Sequence, residues 1–296
     1  MEGLTKAAWL MACALVSTAH AQGDAHWYAQ VDNDVAFHTD RWYTSGVRIA
    51  RAHKFDEGKY AEFGILQEAY TPDPYRVAPG TIDRPYAARL LFTAARHDFM
   101  PGLYRTLELD AGVRGPGAQG EQATSFVHRL VPAPDFDWSR QLPNEVDVQA
   151  IAVQTHDFKF AGSDRARWAV HYGAVLGNQV TFLHAGAEIR TGGARAAQQL
   201  RFAATPPLPM ETRKGWNAFA GASARWVLRN ELLSVNANAI GPPIDRKDGV
   251  WRIAGGVEWS ASWGALTFTL LQDSREFETQ HSPHRFGSLG LRLDFL

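Results

Sequence analysis

The stretch "WNAFAGASARWVLR", residues 216–229, sets small residues and glycine against aromatic and branched ones on alternate positions. Successive side chains of a strand point to opposite faces, so a period of two gives one segment two different surfaces. A segment of about 10 such residues bounded by turn residues suits a tilted strand with lipid on one face and a crowded lumen on the other. Eleven more segments of this character recur, at 26–37, 41–53, 60–70, 85–97, 103–115, 145–158, 166–177, 180–192, 250–263, 266–277 and 285–296. The pattern predicts an all-β protein, a twelve-stranded antiparallel transmembrane β-barrel. An even number of strands, with one at each end of the chain, permits closure and removes the sheet edges.

Composition agrees. Ten Trp and sixteen Phe accompany a mean hydropathy of only -0.27, as expected of strands that are half lipid-facing and half wet. Residues 1–21 read as a cleavable signal peptide: Lys6, the apolar run "AAWLMACALV" and "AHA" ending at Ala21. That run is about 10 residues, against the ~20 of a transmembrane helix. Residues 22–296 are then one outer-membrane barrel domain, exported to the outer membrane of a Gram-negative bacterium and standing against its lipid bilayer. The single cysteine, Cys13, lies in the leader, so the barrel carries no disulfide. A formal net charge of -1 provides no field for nucleic acid, and no obligate protein partner is implied.

With the first strand rising from the periplasm, connections after odd-numbered strands lie outside the cell, where such barrels keep their longer loops. The long segments 71–84, 116–144 and 230–249 all fall there, as does the polar stretch "VDNDVAFHTDRWYTSG" (31–46). That rim gathers Asp32, Asn33, Asp34, Asp40, Arg41 and Thr44, then Arg76, Asp83 and Arg84, then His128, Asp135, Asp137, Asn144 and Glu145. Carboxylate and amide oxygens beside one histidine suit a hard cation with an imidazole that activates water. Lumen and loop residues of a barrel are polar in any case, so composition leaves a structural or binding role open. There is no Gly-x-Ser-x-Gly, no His-Glu-x-x-His and no phosphate loop. Ser125 near His128 is a weak nucleophile signal, and His53, His97, His156, His171 and His184 stand singly, as lumen residues do.

Four motifs in order carry a resemblance: "DNDVAFHTDRWYTSG", "DRPYA" (83–87), "GEQATSFVHRL" (120–130) with "QLPNE" (141–145), and "SREFETQHSPHRFGSLGLRLDF" (274–295). They resemble the outer-membrane lipid A 3′-O-deacylase family over nearly the whole chain. The resemblance implies a twelve-stranded barrel that, with Ca²⁺, hydrolyses the ester of the 3′-linked acyloxyacyl chain of lipid A in lipopolysaccharide. On this chain it makes His128 the general base, Asn33 and Thr44 catalytic companions and Asp34 a Ca²⁺ ligand, with Glu145 as a candidate second ligand. Arg76 and Arg84 fall near the basic residues that meet the substrate. Two positions depart from the family pattern: Pro134 stands where a second acidic ligand is found, and Thr124 where Gln is common. A phospholipase using the same histidine and calcium chemistry, or a catalytically silent barrel, are the alternatives.

Overall fold

The computed structural model describes residues 25–34, 37, 39, 41–75, 83–128, 136–163, 165–191, 214–233 and 244–295. The leader therefore lies outside the described residues, as does Arg76. Twelve strands follow one another round a closed antiparallel barrel. They are β1 (Ala25–Asn33), β2 (Trp42–Asp56), β3 (Lys59–Thr71), β4 (Ala87–Met100), β5 (Leu103–Arg114), β6 (Glu145–Lys159), β7 (Ala166–Gly177), β8 (Val180–Thr191), β9 (Gly215–Asn230), β10 (Gly249–Ala261), β11 (Gly264–Asp273) and β12 (His284–Phe295). Closure is made by the β1–β12 ladder, which runs from Ala25 opposite Phe295 to Asn33 opposite Gly287.

All twelve expected strands are present, and their ends move for local reasons. β1 stops at Asn33 rather than Phe37 because the Asp34 carboxylate folds the chain back, accepting from the Thr39 hydroxyl and the Arg41 N–H at 2.8 Å each. β11 stops at Asp273 because the Ser274 N–H turns to the Trp251 carbonyl, and Phe277 then buries beside Trp42 and Leu233. Connections 72–86, 115–144 and 231–248 share one end of the barrel, opposite the short turns at 57–58, 101–102 and 262–263. Short turns mark the periplasmic end. The connection 192–214 is a long one at that same end, against the expected pattern; 192–213 lies outside the described residues.

Residues facing inward plug the lumen with paired charge. Arg48 donates to Glu108 at 2.9 Å and Glu62 at 2.8 Å, and the other Glu62 oxygen lies 3.3 Å from His97. Arg89 grips Asp147 through two nitrogens at 2.7 and 3.1 Å and reaches Glu68 and Gln149 as well. Arg252 grips Asp273 at 2.6 and 2.7 Å. Buried charges persist only when paired in this way, so the interior is a packed plug. His171 and His184 are buried inside the barrel, on neighbouring strands β7 and β8.

Outside, β9 corrects one expectation. Phe219 points in, whereas Ala218, Ala220, Ala222 and Ala224 face out, between Trp216 and Trp226. Ten residues of strand rise ~33 Å along the chain, or ~25 Å of bilayer at the usual tilt, which is the height of a barrel's apolar band. The two tryptophans thus sit at the two membrane interfaces. Trp259 lies directly opposite Trp216 and strengthens the lower belt.

Ala222 is then near mid-membrane and Ala218 near an interface. Ala222→Arg is expected to destabilise the folded barrel by ~2–4 kcal/mol and Ala218→Arg by ~1 kcal/mol or less. Urea titration of refolding into vesicles measures both; equal costs contradict this placement of the wall in the bilayer.

Candidate active site

The described parts of the long connection between β5 and β6 fold back onto the barrel. They form a 3-10 turn at Pro116–Ala118, helix α1 (Gly120–His128) and a second 3-10 turn at Trp138–Arg140. This cap lies on the outer face of the wall. On β4 the residues of odd number, such as Arg89 and Leu91, point inward, while Phe92 two places below Leu90 is 68% exposed. Ala88 belongs to the outward set and yet is fully buried, because Trp138 and Ala118 pack on it together with Ala69 and Tyr86. A Cβ at Gly120 would come within 2.5 Å of the Ala88 Cβ and 2.7 Å of the Trp138 ring, so only glycine lets the start of α1 approach the wall this closely. Outward-facing Gln67 of β3 donates to the Ala118 carbonyl at 2.7 Å, and the Asn144 carboxamide oxygen accepts from the Gly117 N–H at 2.7 Å.

The same outer face carries the motif residues of β1 and β2. A bulge between Tyr43 and Ser45 inserts Thr44 into the ladder and turns it onto outward-facing Thr71; the two hydroxyls are 2.5 Å apart and buried. Bulges re-aim single side chains in this way and are common beside active sites. Asn33, outward by its alternation with Val31, donates its amide to the Thr44 carbonyl at 3.2 Å. Asn33, Thr44 and Asp34 are therefore brought together, on β strands adjoining the wall that α1 covers. His128 is the last residue of α1, which rests on β3 and β4; its side chain lies outside the described residues.

Trp42 anchors the turn. Its φ of 63° is the left-handed region, which a bulky residue occupies at a cost of about 1–3 kcal/mol. The conformation is held by the indole N–H bonded to Asp83 at 2.8 Å, by the Arg41 guanidinium 4.5 Å above the ring and by the edge of Phe277. Arg41 in turn donates to Asp73 at 2.8 Å, and Asp73 accepts the Tyr75 N–H at 2.8 Å while its own N–H bonds Asp83 at 3.0 Å. Two loop carboxylates thus fix the residue whose N–H orients Asp34.

The remaining candidates go elsewhere. Arg84 is buried, 4.8 Å over the Tyr70 ring, with one nitrogen bonded to the Leu232 carbonyl and another 3.9 Å from Glu276; burial works against its charge and pulls its pKa below the usual arginine range. It packs the outer end of the barrel. Glu145 begins β6, is paired with Arg114 at 2.9 Å and accepts from Gln179 at 3.2 Å. Four strands separate it from β1. Asp137 caps the second 3-10 turn, accepting from the Ser139 N–H. Thr124 turns its hydroxyl back to the Gly120 carbonyl at 2.9 Å, inside the helix. Asp40, Pro134 and Asp135 lie outside the described residues.

Among the described residues no group of three or more His, Cys, Asp or Glu is arranged to hold a metal. The donors around the Asn33–Thr44 turn are a carboxylate, an amide, hydroxyls and backbone carbonyls. Among the described residues that set is all oxygen, which suits a hard cation such as Ca²⁺ and not zinc.

A family model described as "Outer membrane protein LpxR" matches residues 7–295. The chain belongs to the LpxR outer-membrane protein family. That is the family to which the four sequence motifs pointed. Among solved structures, LpxR from Salmonella typhimurium has a TM-score of 0.80 at 20% identity, covering 91% of this chain and 100% of that one, and shares the LpxR barrel fold. The translocator domain of autotransporter NalP from Neisseria meningitidis (TM-score 0.45, 10% identity, 99% and 98% covered) and KdgM porin (0.43, 6%, 92% and 99%) are more distant. No curated protein matches the chain.

Seating of the LpxR-family helix α1 depends on Gly120. Gly120→Val is expected to lift it, at the ~1–3 kcal/mol cost of overpacking. Hydrogen exchange of the amides of 121–128 should quicken about 5- to 100-fold with the strands unaltered; unchanged protection of the helix contradicts the close approach.

Proposed function

We propose that this barrel is a lipid A 3′-O-deacylase acting in the outer membrane. The observation that carries the reading is position: Asn33, Thr44, Thr71 and helix α1 occupy the outside of the wall, at its outer end, rather than the lumen. The lumen is plugged by ion pairs, so a substrate has access from the membrane and not through a pore. An amphiphile of the outer leaflet, with its ester at the boundary of sugar and hydrocarbon, meets the wall at that level.

The chemistry assigned to the site is a single hydrolysis. His128 accepts a proton from water as the water oxygen attacks the ester carbonyl carbon. Asn33 or Thr44 donates a hydrogen bond to the developing oxyanion. The bond between the carbonyl carbon and the sugar 3′-oxygen then breaks, and the leaving oxygen takes the proton back from His128. The products are a 3′-hydroxyl and a free acyloxyacyl carboxylic acid, with no acyl-enzyme. Ca²⁺ would be held by Asp34 with oxygens from other loop residues, and its chemistry when bound is to polarise the ester carbonyl. Arg41, Trp42, Asp73 and Asp83 orient Asp34 through their hydrogen bonds. Thr44 is held by Thr71, so Thr71 contributes to the site through it.

His128→Ala is expected to leave a folded barrel and to slow acyl release from lipopolysaccharide by ~10²- to 10⁴-fold, as loss of a general base does. Release as fast as in the parent contradicts the role of His128. Excess EGTA is expected to stop turnover and Ca²⁺ to restore it; undiminished turnover in chelator removes calcium from the proposal.

A further inference from the structure

The lipid-facing wall is not equally tall all round. On β9 the apolar face extends from Trp216 past Trp226 to Leu228. On β2, next to the candidate site, only Val47 and Ile49 separate outward Ser45 from outward Arg51. The six steps from Ser45 to Arg51 rise ~20 Å along the strand and ~15 Å across the bilayer, some 10 Å less than β9 provides. On β4 the outward series passes from Phe92 and Ala94 to Arg96, and on β5 from Leu107 to Arg105.

Arg51, Arg96 and Arg105 all face outward and are exposed, on one sector of the periplasmic half of the wall. Two of them lie against aromatic rings, Arg51 at 5.9 Å from Trp27 and Arg96 at 5.7 Å from Phe55. Their polar neighbours on the wall are Asp98, 3.0 Å from Arg96 and opposite Arg105 in the ladder, and Gln154, 3.2 Å from Arg105. His53 and Lys54 lie lower on β2, and the turn below holds Lys59 paired to Asp56. Among the described residues of this sector three arginines thus face one outward carboxylate. On the opposite sector the outward residues near the same end are Trp168, Ile189, Trp216, Trp259, Leu266 and Leu291.

A guanidinium on the hydrocarbon face is costly unless an anion or water meets it, and fixed as these are above the short turns, they stand higher than the tryptophan belt across the barrel. We propose that this sector binds the headgroups of anionic phospholipids of the periplasmic leaflet. Phosphodiester oxygens fit the planar fork of arginine, and the acyl chains lie on the shallow wall of Phe63, Ala94, Leu107 and Leu109 above it. Drawing headgroups up to Arg51 and Arg96 matches the short apolar height of β2, so the bilayer is thinnest directly beneath the candidate site.

The test uses the full chain folded into vesicles of equal parts phosphatidylcholine and phosphatidylglycerol. After extraction in mild detergent, mass spectrometry counts the lipid of each class that stays with the protein; heat-dependent gel migration confirms folding. The parent is expected to retain phosphatidylglycerol preferentially, and less so as salt rises. Arg51→Gln, Arg96→Gln and Arg105→Gln are each expected to reduce that preference about fivefold, as one cation at a charged leaflet does, and the triple variant to abolish it. Should the triple variant not fold, the single variants decide. Arg229→Gln, at the outer end of β9, is expected to retain the parent's preference. An unchanged preference in the Arg51, Arg96 and Arg105 variants overturns the proposal, and so does an equal loss in Arg229→Gln.

Discussion

No water is available in the middle of a bilayer to satisfy a backbone N–H or C=O, and every other feature of this chain depends on meeting that constraint by closure. The ladder that joins the first strand to the last, with Ala25 opposite Phe295 and Asn33 opposite Gly287, completes the ring and leaves no edge. It also fixes the register of β1 against β2, and through it the level at which Asn33 meets Ser45 beside the Thr44 bulge. Closure forces side chains into two sets, and the two sets then do different things. The inward set becomes an ion-paired plug around Arg48, Arg89 and Arg252, and the outward set becomes a lipid-facing wall with tryptophans at its margins.

With the lumen plugged, the elaborated features lie on the outside of the wall. The β5–β6 connection folds back over outward Ala69 and Ala88, and Gly120 and Trp138 make the fit close enough to bury them. Beside it, a bulge at Thr44 and a left-handed Trp42 distort the outer end of β2 so that Asn33, Asp34 and Thr44 converge. Strain of this kind persists only where surroundings enforce it, and here the Asp73 and Asp83 carboxylates do so through Arg41 and the Trp42 indole.

Much of this was legible in the residues because a period of two survives in every strand, "WNAFAGASARW" among them. The strand ends were less legible: Asp34 ends β1 by accepting two hydrogen bonds that the sequence does not announce. Alternation alone does not say which face is which, and the outward alanines of β9 show it. The motif stretch folds so that Asn33, Asp34 and Thr44 lie together, while Thr71, Asp73 and Trp138 beside it carry no signal in the sequence. Their roles come from a bulge, a loop hydrogen bond and a cap laid on the wall, none of which has a local pattern. Glu145 and Arg84 looked alike as rim charges on paper. Long-range pairing with Arg114 in one case, and burial over Tyr70 in the other, gives them structural work.

Lipid A mass spectrometry on cells with and without the gene tests the central claim most directly. An enzyme acting from the outer wall on the 3′-linked ester removes the mass of one 3-(acyloxy)acyl group from lipid A when the gene is present. Unchanged lipid A in cells that carry a folded barrel in the outer membrane contradicts the account, and fatty acid released instead from glycerophospholipid assigns the same site to a phospholipase.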